Sequence, residues 1–225
     1  MAIEFFLYDS PSFRDFLKNN PHERGEVRFL ESVVKEGMNV VDVGGHIGVT
    51  TVIIAKQVGK RGLVYSFEPV PEYFNILKKN LSTNKLENAA AVQLAVTDRL
   101  ETIDFYQHGG FSGIIHDEGA KKFKANTTTI DTFLNEQEME RLDLIYMDCE
   151  GSELLVLKGA EESLRKNKVQ IFYEIHHDYL KHLGQSIQHI VQYLQKLEYE
   201  VHSVSLDSLS IRSDFDNAEY IYAHN

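Results

Sequence analysis

Apolar residues recur along this chain at two alternating periods. Phe29, Leu30, Val33 and Val34 share one face of a segment from Glu23 to Glu36, which reads as a helix stopping at Gly37. Val40 to Val43 is then a buried strand, and helical spacing returns over Ile47 to Val58 before the turn GKRG, 59–62. LVYSFE (63–68) is a second strand, followed by a helix from Pro71 to Leu81 whose proline suits a first helical position. AVQLAV (91–96), LDLIYMD (142–148) and VQIFYEI (169–175) read as further strands, with one helix from Ser152 to Arg165 between the last two. Ile187, Ile190, Val191 and Leu194 mark another helix, and VHSVSL (201–206) with EYIYAH (219–224) reads as an antiparallel pair closing the sheet. The pattern is less regular from Thr97 to Asn126, where TIDFY (102–106) is a candidate strand and HGGFSGIIHDEG (108–119) a glycine-rich loop.

This alternation predicts an α/β fold: a mostly parallel sheet, helices on both faces, an antiparallel C-terminal strand. Such sheets bind ligands beyond the carboxyl ends of the strands, where strand order reverses. Neither a repeat nor a proline-rich linker divides the chain. The expectation is therefore one domain over 1–225, with 1–37 as an N-terminal helical cap and 38–225 as the core.

Composition narrows the ligand. The 225 residues are 43% hydrophobic, ordinary for a globular chain, and carry a formal charge of −11 from 23 basic and 34 acidic residues. That balance argues against a nucleic-acid partner, which calls for a basic face. The start lacks the basic leader of a secretory signal, and no apolar run approaches bilayer length, so the expected setting is cytoplasmic and off the membrane. A single cysteine, Cys149, excludes an internal disulfide and a zinc site built on paired cysteines.

The first βα turn carries the sharpest signal. NVVDVGGHIGVTT (39–51) places Asp42 before two adjacent glycines, Gly44 and Gly45, with Gly48 beyond His46. Glycines there let backbone approach a ligand, and the helix start favours negative charge. The dinucleotide spacing G-x-G-x-x-G is absent, which disfavours an NAD-dependent oxidoreductase. Twenty residues past Gly48, Glu68 ends the second strand, where a carboxylate can accept from both ribose hydroxyls. Asp42 adds a carboxylate that could meet an ammonium group. Ribose with an amino-acid moiety points to S-adenosylmethionine.

The chain here resembles the FkbM-type S-adenosylmethionine-dependent methyltransferases. The resemblance rests on VVDVGGHIGVTT, YSFEPVPEYFNILKKNLSTN, TTTIDTFL, LDLIYMDCEGSELLVLKGA and FYEIH, in the family's order over roughly residues 26–176. It implies a Rossmann-like class I methyltransferase fold with a seven-stranded sheet, and methyl transfer to a hydroxyl of a small acceptor such as a sugar or natural product. S-adenosylhomocysteine would be the product. By the same match Asp42, Gly44, Gly45 and Gly48 line the methionine side, Glu68 with Pro69 the ribose, and Ala95 and Val96 the adenine. His46 departs from the family's usual asparagine.

Methyl transfer to an alcohol needs a base as well as positioning. Asp148 is expected as a floor contact for cofactor or acceptor, and Glu174 or His176 as the base, all at neighbouring strand ends. The same three side chains could hold a divalent cation, but no diagnostic metal spacing supports one, and the metal-free reading is preferred. Glu150 and Glu153 read as acids complementing the following helix, His177 as a solvated loop residue and Cys149 as a core thiol. HGGFSGIIH could form a lid carrying His108 or Ser112 to the site. KKFK (121–124) could draw in an anionic acceptor, and Asp131 reads as a cap or first-turn acid of its own helix. A non-catalytic module that keeps the cofactor pocket is the remaining alternative.

Overall fold

The computed structural model describes residues 20–108, 111–116 and 118–225. The first nineteen residues of the expected cap, and Gly109, Gly110 and Asp117 of the expected lid, lie outside the described residues. In chain order the elements are α1 (Pro21–Val33), β1 (Asn39–Val43), α2 (Val49–Val58), β2 (Leu63–Phe67), α3 (Pro71–Thr83), β3 (Ala89–Val92), β4 (Ala95–Val96), β5 (Thr102–Gln107), β6 (Lys121–Thr128) and α4 (Ile130–Glu136). They continue with β7 (Leu144–Met147), α5 (Glu153–Lys158), α6 (Glu161–Lys166), β8 (Gln170–Glu174), α7 (His177–His182), α8 (Ile187–Lys196), β9 (Glu200–Ser205), β10 (Ser210–Arg212) and β11 (Tyr220–His224).

The main sheet runs β10-β9-β11-β8-β7-β1-β2-β3. It has eight strands where seven were expected, because the short β10 folds back antiparallel on β9. From β3 to β8 all pairings are parallel, and β11 lies antiparallel between β8 and β9. Strand order reverses at β1, which is flanked by β2 and β7. The carboxyl ends of those three strands are therefore where a ligand belongs.

Alternation along the central strands feeds two cores. Val41, Val43, Ile145, Met147, Ile171 and Tyr173 face the core under α4, α5 and α8. Val40, Val64, Leu144, Tyr146 and Phe172 face the other, closed by Phe29 and Leu30 of α1 and by Ile54 and Val58 of α2. Burial on both faces is why these strands read as near-continuous apolar runs.

Three boundaries differ from the sequence reading. The 91–96 strand is two pieces, with β3 on the main sheet and β4 paired to β6 in a separate three-stranded sheet, β4-β6-β5. The 152–165 helix breaks at Gly159, whose Cβ would sit 2.1 Å from the Thr97 carbonyl oxygen, so α5 and α6 are separate helices. KKFK is part of β6, and Lys122 and Lys124 both clamp Asp104 across the hairpin at 2.8 Å. That pairing occupies the charge proposed for an anionic acceptor. Asp131 stands in the first turn of α4, but its carboxylate accepts from the Glu162 and Ser163 amides and so caps α6 instead.

Candidate active site

The glycine turn closes on the chain itself. Gly44 adopts φ 91°, and a Cβ there would lie 1.8 Å from the Asp148 carbonyl oxygen. A Cβ on Gly45 would meet Ser66 Oγ at 2.0 Å, and one on Gly48 would meet Leu77 Cδ1 at 2.6 Å. The three glycines thus let β1, β2, β7 and α3 approach one another. Their amides are also engaged: Gly44 and Gly45 donate to the Phe67 carbonyl at 3.0 and 2.9 Å, and Gly48 to that of Gly45 at 2.7 Å.

Asp42 is fully buried beneath this turn, its Oδ2 accepting from Thr51 Oγ1 at 2.5 Å and Ser66 Oγ at 2.9 Å. Burial raises its carboxyl to about 6 against those two hydrogen bonds. Direct contact with a ligand's ammonium does not fit that placement; Asp42 organises the turn from behind. Glu68 accepts from the His46 amide at 2.9 Å and the Val70 amide at 2.7 Å, one on each oxygen. Burial lifts it to about 8. His46, at φ 45°, packs edge-on against Tyr73 with ring centroids 4.4 Å apart. Burial pushes its imidazole down to about 4, so it is neutral at physiological pH.

A cleft of about 640 Å³ opens over these strand ends. Gly44, His46, Phe67, Glu68, Pro69, Tyr73, Leu94, Ala95 and Val96 line one part of it, and Asp148, Cys149, Glu150 and Ser152 another. Phe105 of β5 and Ser112 and Ile114 of the β5–β6 connection complete its lining. Of the residues singled out in the sequence, Gly44, His46, Glu68, Pro69, Ala95, Val96 and Asp148 reach this surface. Asp42, Gly45, Gly48, Glu174 and His176 stand behind it. Cys149 both packs against the core and borders the cleft.

Past the ends of β7 and β8 the polar side chains converge. One ligand atom each from Asp148, Glu174 and His176 lies within 4.8 Å of the others. His176 is held through Nδ1 by Glu153 Oε1 at 2.9 Å, and its Nε2 faces Asp148 Oδ1 at 3.4 Å and Glu150 Oε2 at 3.3 Å. Burial alone would lower His176, but the Glu153 hydrogen bond and the charges of Glu150 and Asp148 outweigh it and raise it to about 9. Asp148 is pushed up by burial and by the charge of Glu174. Glu174 is held below the usual carboxylate range. Burial opposes this, but His22, His176 and Tyr220, whose hydroxyl donates to Oε2 at 2.9 Å, prevail.

Three assignments change here. Glu153 is fully buried and orients His176, and Glu150, at φ 50° and 7% exposed, lines the cleft. Neither simply complements a helix end. The signal was their close spacing after Asp148 at the end of an apolar strand. His177 is half-buried and starts α7, its Nε2 2.8 Å from the Ala218 carbonyl oxygen. Glu26 went unnoticed on the polar side of α1. It is buried, and its Oε1 accepts from Tyr146 at 2.5 Å and from Tyr220 at 3.2 Å.

Comparison with known proteins places the chain among methyltransferases. Methyltransferase sdnD of Sordaria araneosa is 26% identical over 157 residues, 55% of this chain and 60% of sdnD. The 2-O-methyltransferase NoeI of Sinorhizobium fredii is 25% identical over 131 residues, 50% of this chain and 53% of NoeI. The chain thus spans between half and two thirds of these two relatives. A crystal structure of methyltransferase FkbM from Methylobacillus flagellatus shares the fold, with a TM-score of 0.57 at 16% identity over 83% of this chain and 43% of that one. The family model described as the methyltransferase FkbM domain matches residues 42–201, from the acid before the glycine turn to the start of β9. By that match the chain belongs to the FkbM methyltransferase family, on the fold of class I S-adenosylmethionine-dependent methyltransferases.

Proposed function

We propose that this protein is an S-adenosylmethionine-dependent O-methyltransferase acting on a hydroxyl of a small acceptor, a carbohydrate or related natural product. The observation that carries the reading is the Asp148–Glu174–His176 group set against a cleft at the switch point of the sheet. The cleft is lined mainly by apolar side chains with a few convergent polar groups, as small-molecule sites are. Its donor set fits the cofactor: an apolar wall of Phe67, Leu94, Ala95, Val96 and Phe105 for a purine, and Glu68 for ribose hydroxyls. Each Glu68 oxygen keeps a lone pair beyond its backbone bond. Gly44, His46 and Pro69 border the same space, while Asp42, Gly45 and Gly48 shape it from behind.

Bound S-adenosylmethionine supplies an activated methyl group on a sulfonium. The chain's part is to position the acceptor and take its proton. Asp148, which borders the cleft, is the group that takes the proton, and His176, held protonated at neutral pH and oriented by Glu153, faces it through Nε2. Glu174 holds a negative charge beside them. An open groove that His176 also lines offers the exposed Phe111, with Ile115, His116 and Tyr179, to an acceptor. Aromatic rings beside imidazoles suit the apolar faces and hydroxyls of a sugar. The name of NoeI, a 2-O-methyltransferase, favours oxygen as the acceptor atom.

Two substitutions test this map. Glu68→Ala is expected to weaken S-adenosylmethionine binding by about 10-fold or more, the worth of a lost charge-assisted hydrogen bond. Glu174→Gln should leave that binding within about 3-fold while lowering turnover on a hydroxylated-sugar panel by about 100-fold. Calorimetry and a product assay separate the two. Binding untouched in the first, or turnover untouched in the second, overturns the assignment.

A further inference from the structure

We propose that Asp148, Glu174 and His176 form a binding site for a first-row divalent metal ion on the acceptor side of the cleft. The inference deepens the proposed methyl transfer and rests on that reading only for its role, not for the binding itself.

Ligand atoms at about 2.1 Å from a metal stand about 3 Å apart when adjacent and about 4.2 Å apart when opposite. Asp148 Oδ1 and His176 Nε2 are 3.4 Å apart, near the adjacent-ligand spacing, and the Glu174 atom lies within 4.8 Å of both, so at most a small side-chain shift brings it onto the same ion. The ligands come from the ends of two neighbouring parallel strands, β7 and β8, which fixes their spacing. Glu153 grips the other nitrogen of His176, the usual way a carboxylate orients a metal-binding imidazole.

A separate observation points to a ligand at this position. Glu150 is 7% exposed, yet its Oε2 finds no hydrogen-bond partner among the described residues. That oxygen faces the same Nε2 from 3.3 Å, outside hydrogen-bonding alignment. Four carboxylates, Asp148, Glu150, Glu153 and Glu174, surround one imidazole, and His22 approaches Glu174 from the other side, 3.6 Å away. A buried polar oxygen without a partner costs free energy, and a bound metal ion beside it would offset that cost. Two carboxylates and an imidazole suit manganese, iron or zinc better than calcium, which prefers oxygen alone. With an ion in place, loosening of the acceptor's proton passes from Asp148 to the metal, and Glu150 is the adjacent carboxylate left to receive it.

Mn²⁺ alone, titrated by calorimetry into metal-stripped protein without S-adenosylmethionine, tests the site. A second trio, Glu200, His202 and His224, also has candidate atoms within 4.8 Å, so the titration is made on the His202→Ala/His224→Ala background. One saturable site is expected, weakened about 10–100-fold or more by Glu174→Gln and by Asp148→Asn. Circular dichroism checks that each variant is folded. If one is not, the other carries the comparison, and His176→Asn replaces both should neither fold. No saturable Mn²⁺ binding, or equal binding in a folded ligand variant, overturns the proposal. S-adenosylmethionine is titrated separately, so loss of cofactor binding counts against the proposed function and leaves the metal result standing.

Discussion

The carboxyl ends of β1 and β2 and those of β7 and β8 border one cleft but solve opposite problems. On the first side the chain satisfies itself. The amides of Gly44, Gly45, His46 and Gly48 all have partners, and Asp42 is held by two hydroxyls with only Oδ1 left over. On the second side oxygens of Glu150 and Glu153 are buried without hydrogen bonds, and carboxylates outnumber the imidazole they surround. A closed turn fixes where a ligand can lie; an under-compensated cluster can respond to one. The largest test strikes where the two sides touch. Gly44→Ala would set a methyl carbon 1.8 Å from the Asp148 carbonyl oxygen at φ 91°, so either β1 or β7 must move. We expect insoluble protein or a melting temperature lower by about 10 °C, the scale of a severe packing defect in a chain of this size. An unchanged melt would mean that the sides are not locked together.

The second test separates the sides by function. Glu150→Gln replaces a cleft carboxyl that lies 3.3 Å from His176 on the β7–β8 side. Turnover should fall by about 10–100-fold, with S-adenosylmethionine affinity within about 3-fold of the parent. Single-turnover assays with parallel calorimetry read both quantities. A matching loss in cofactor affinity would merge the two regions into one binding site.

The same contrast governs what the sequence made legible. Apolar periodicity gave the alternation of strands and helices, because strands buried on both faces and amphipathic helices leave a direct trace in residue order. The glycine turn was legible as well, although its glycines serve close approach between strands and do not free amides for a ligand. Asp148, Glu174 and His176 could be matched to neighbouring strand ends from topology alone. Glu150 and Glu153 were harder. An acid after a strand and before a helix has an ordinary reason to be there. Only the left-handed turn at Glu150 and Gly151 aims these side chains inward. Glu26 was beyond reach, since its partners Tyr146 and Tyr220 lie 120 and 194 residues away in the chain.

Glu26 gives the smallest and most specific test, because it joins α1 to the β7–β8 side without entering the cleft. Burial is the main cause that lifts its carboxyl from 4.5 to about 8; the charge of Asp148 adds to this and the Tyr146 hydrogen bond opposes it. Between those two values the folded chain binds more protons than the unfolded one, so stability falls as pH rises. The contribution is full below 4.5 and is lost as pH climbs through about 8. Glu150 and His176, raised to about 8 and 9, slope the same way, so the parent should melt progressively lower from pH 6 to pH 9. Glu26→Gln keeps an acceptor for the two tyrosines but has no proton to lose. Its melting temperature should fall less over that interval, by about 2–4 °C, equivalent to about 1 kcal/mol in a domain of this length. Scanning calorimetry at matched ionic strength gives the two slopes, and parallel slopes would place the alkaline sensitivity in groups other than Glu26.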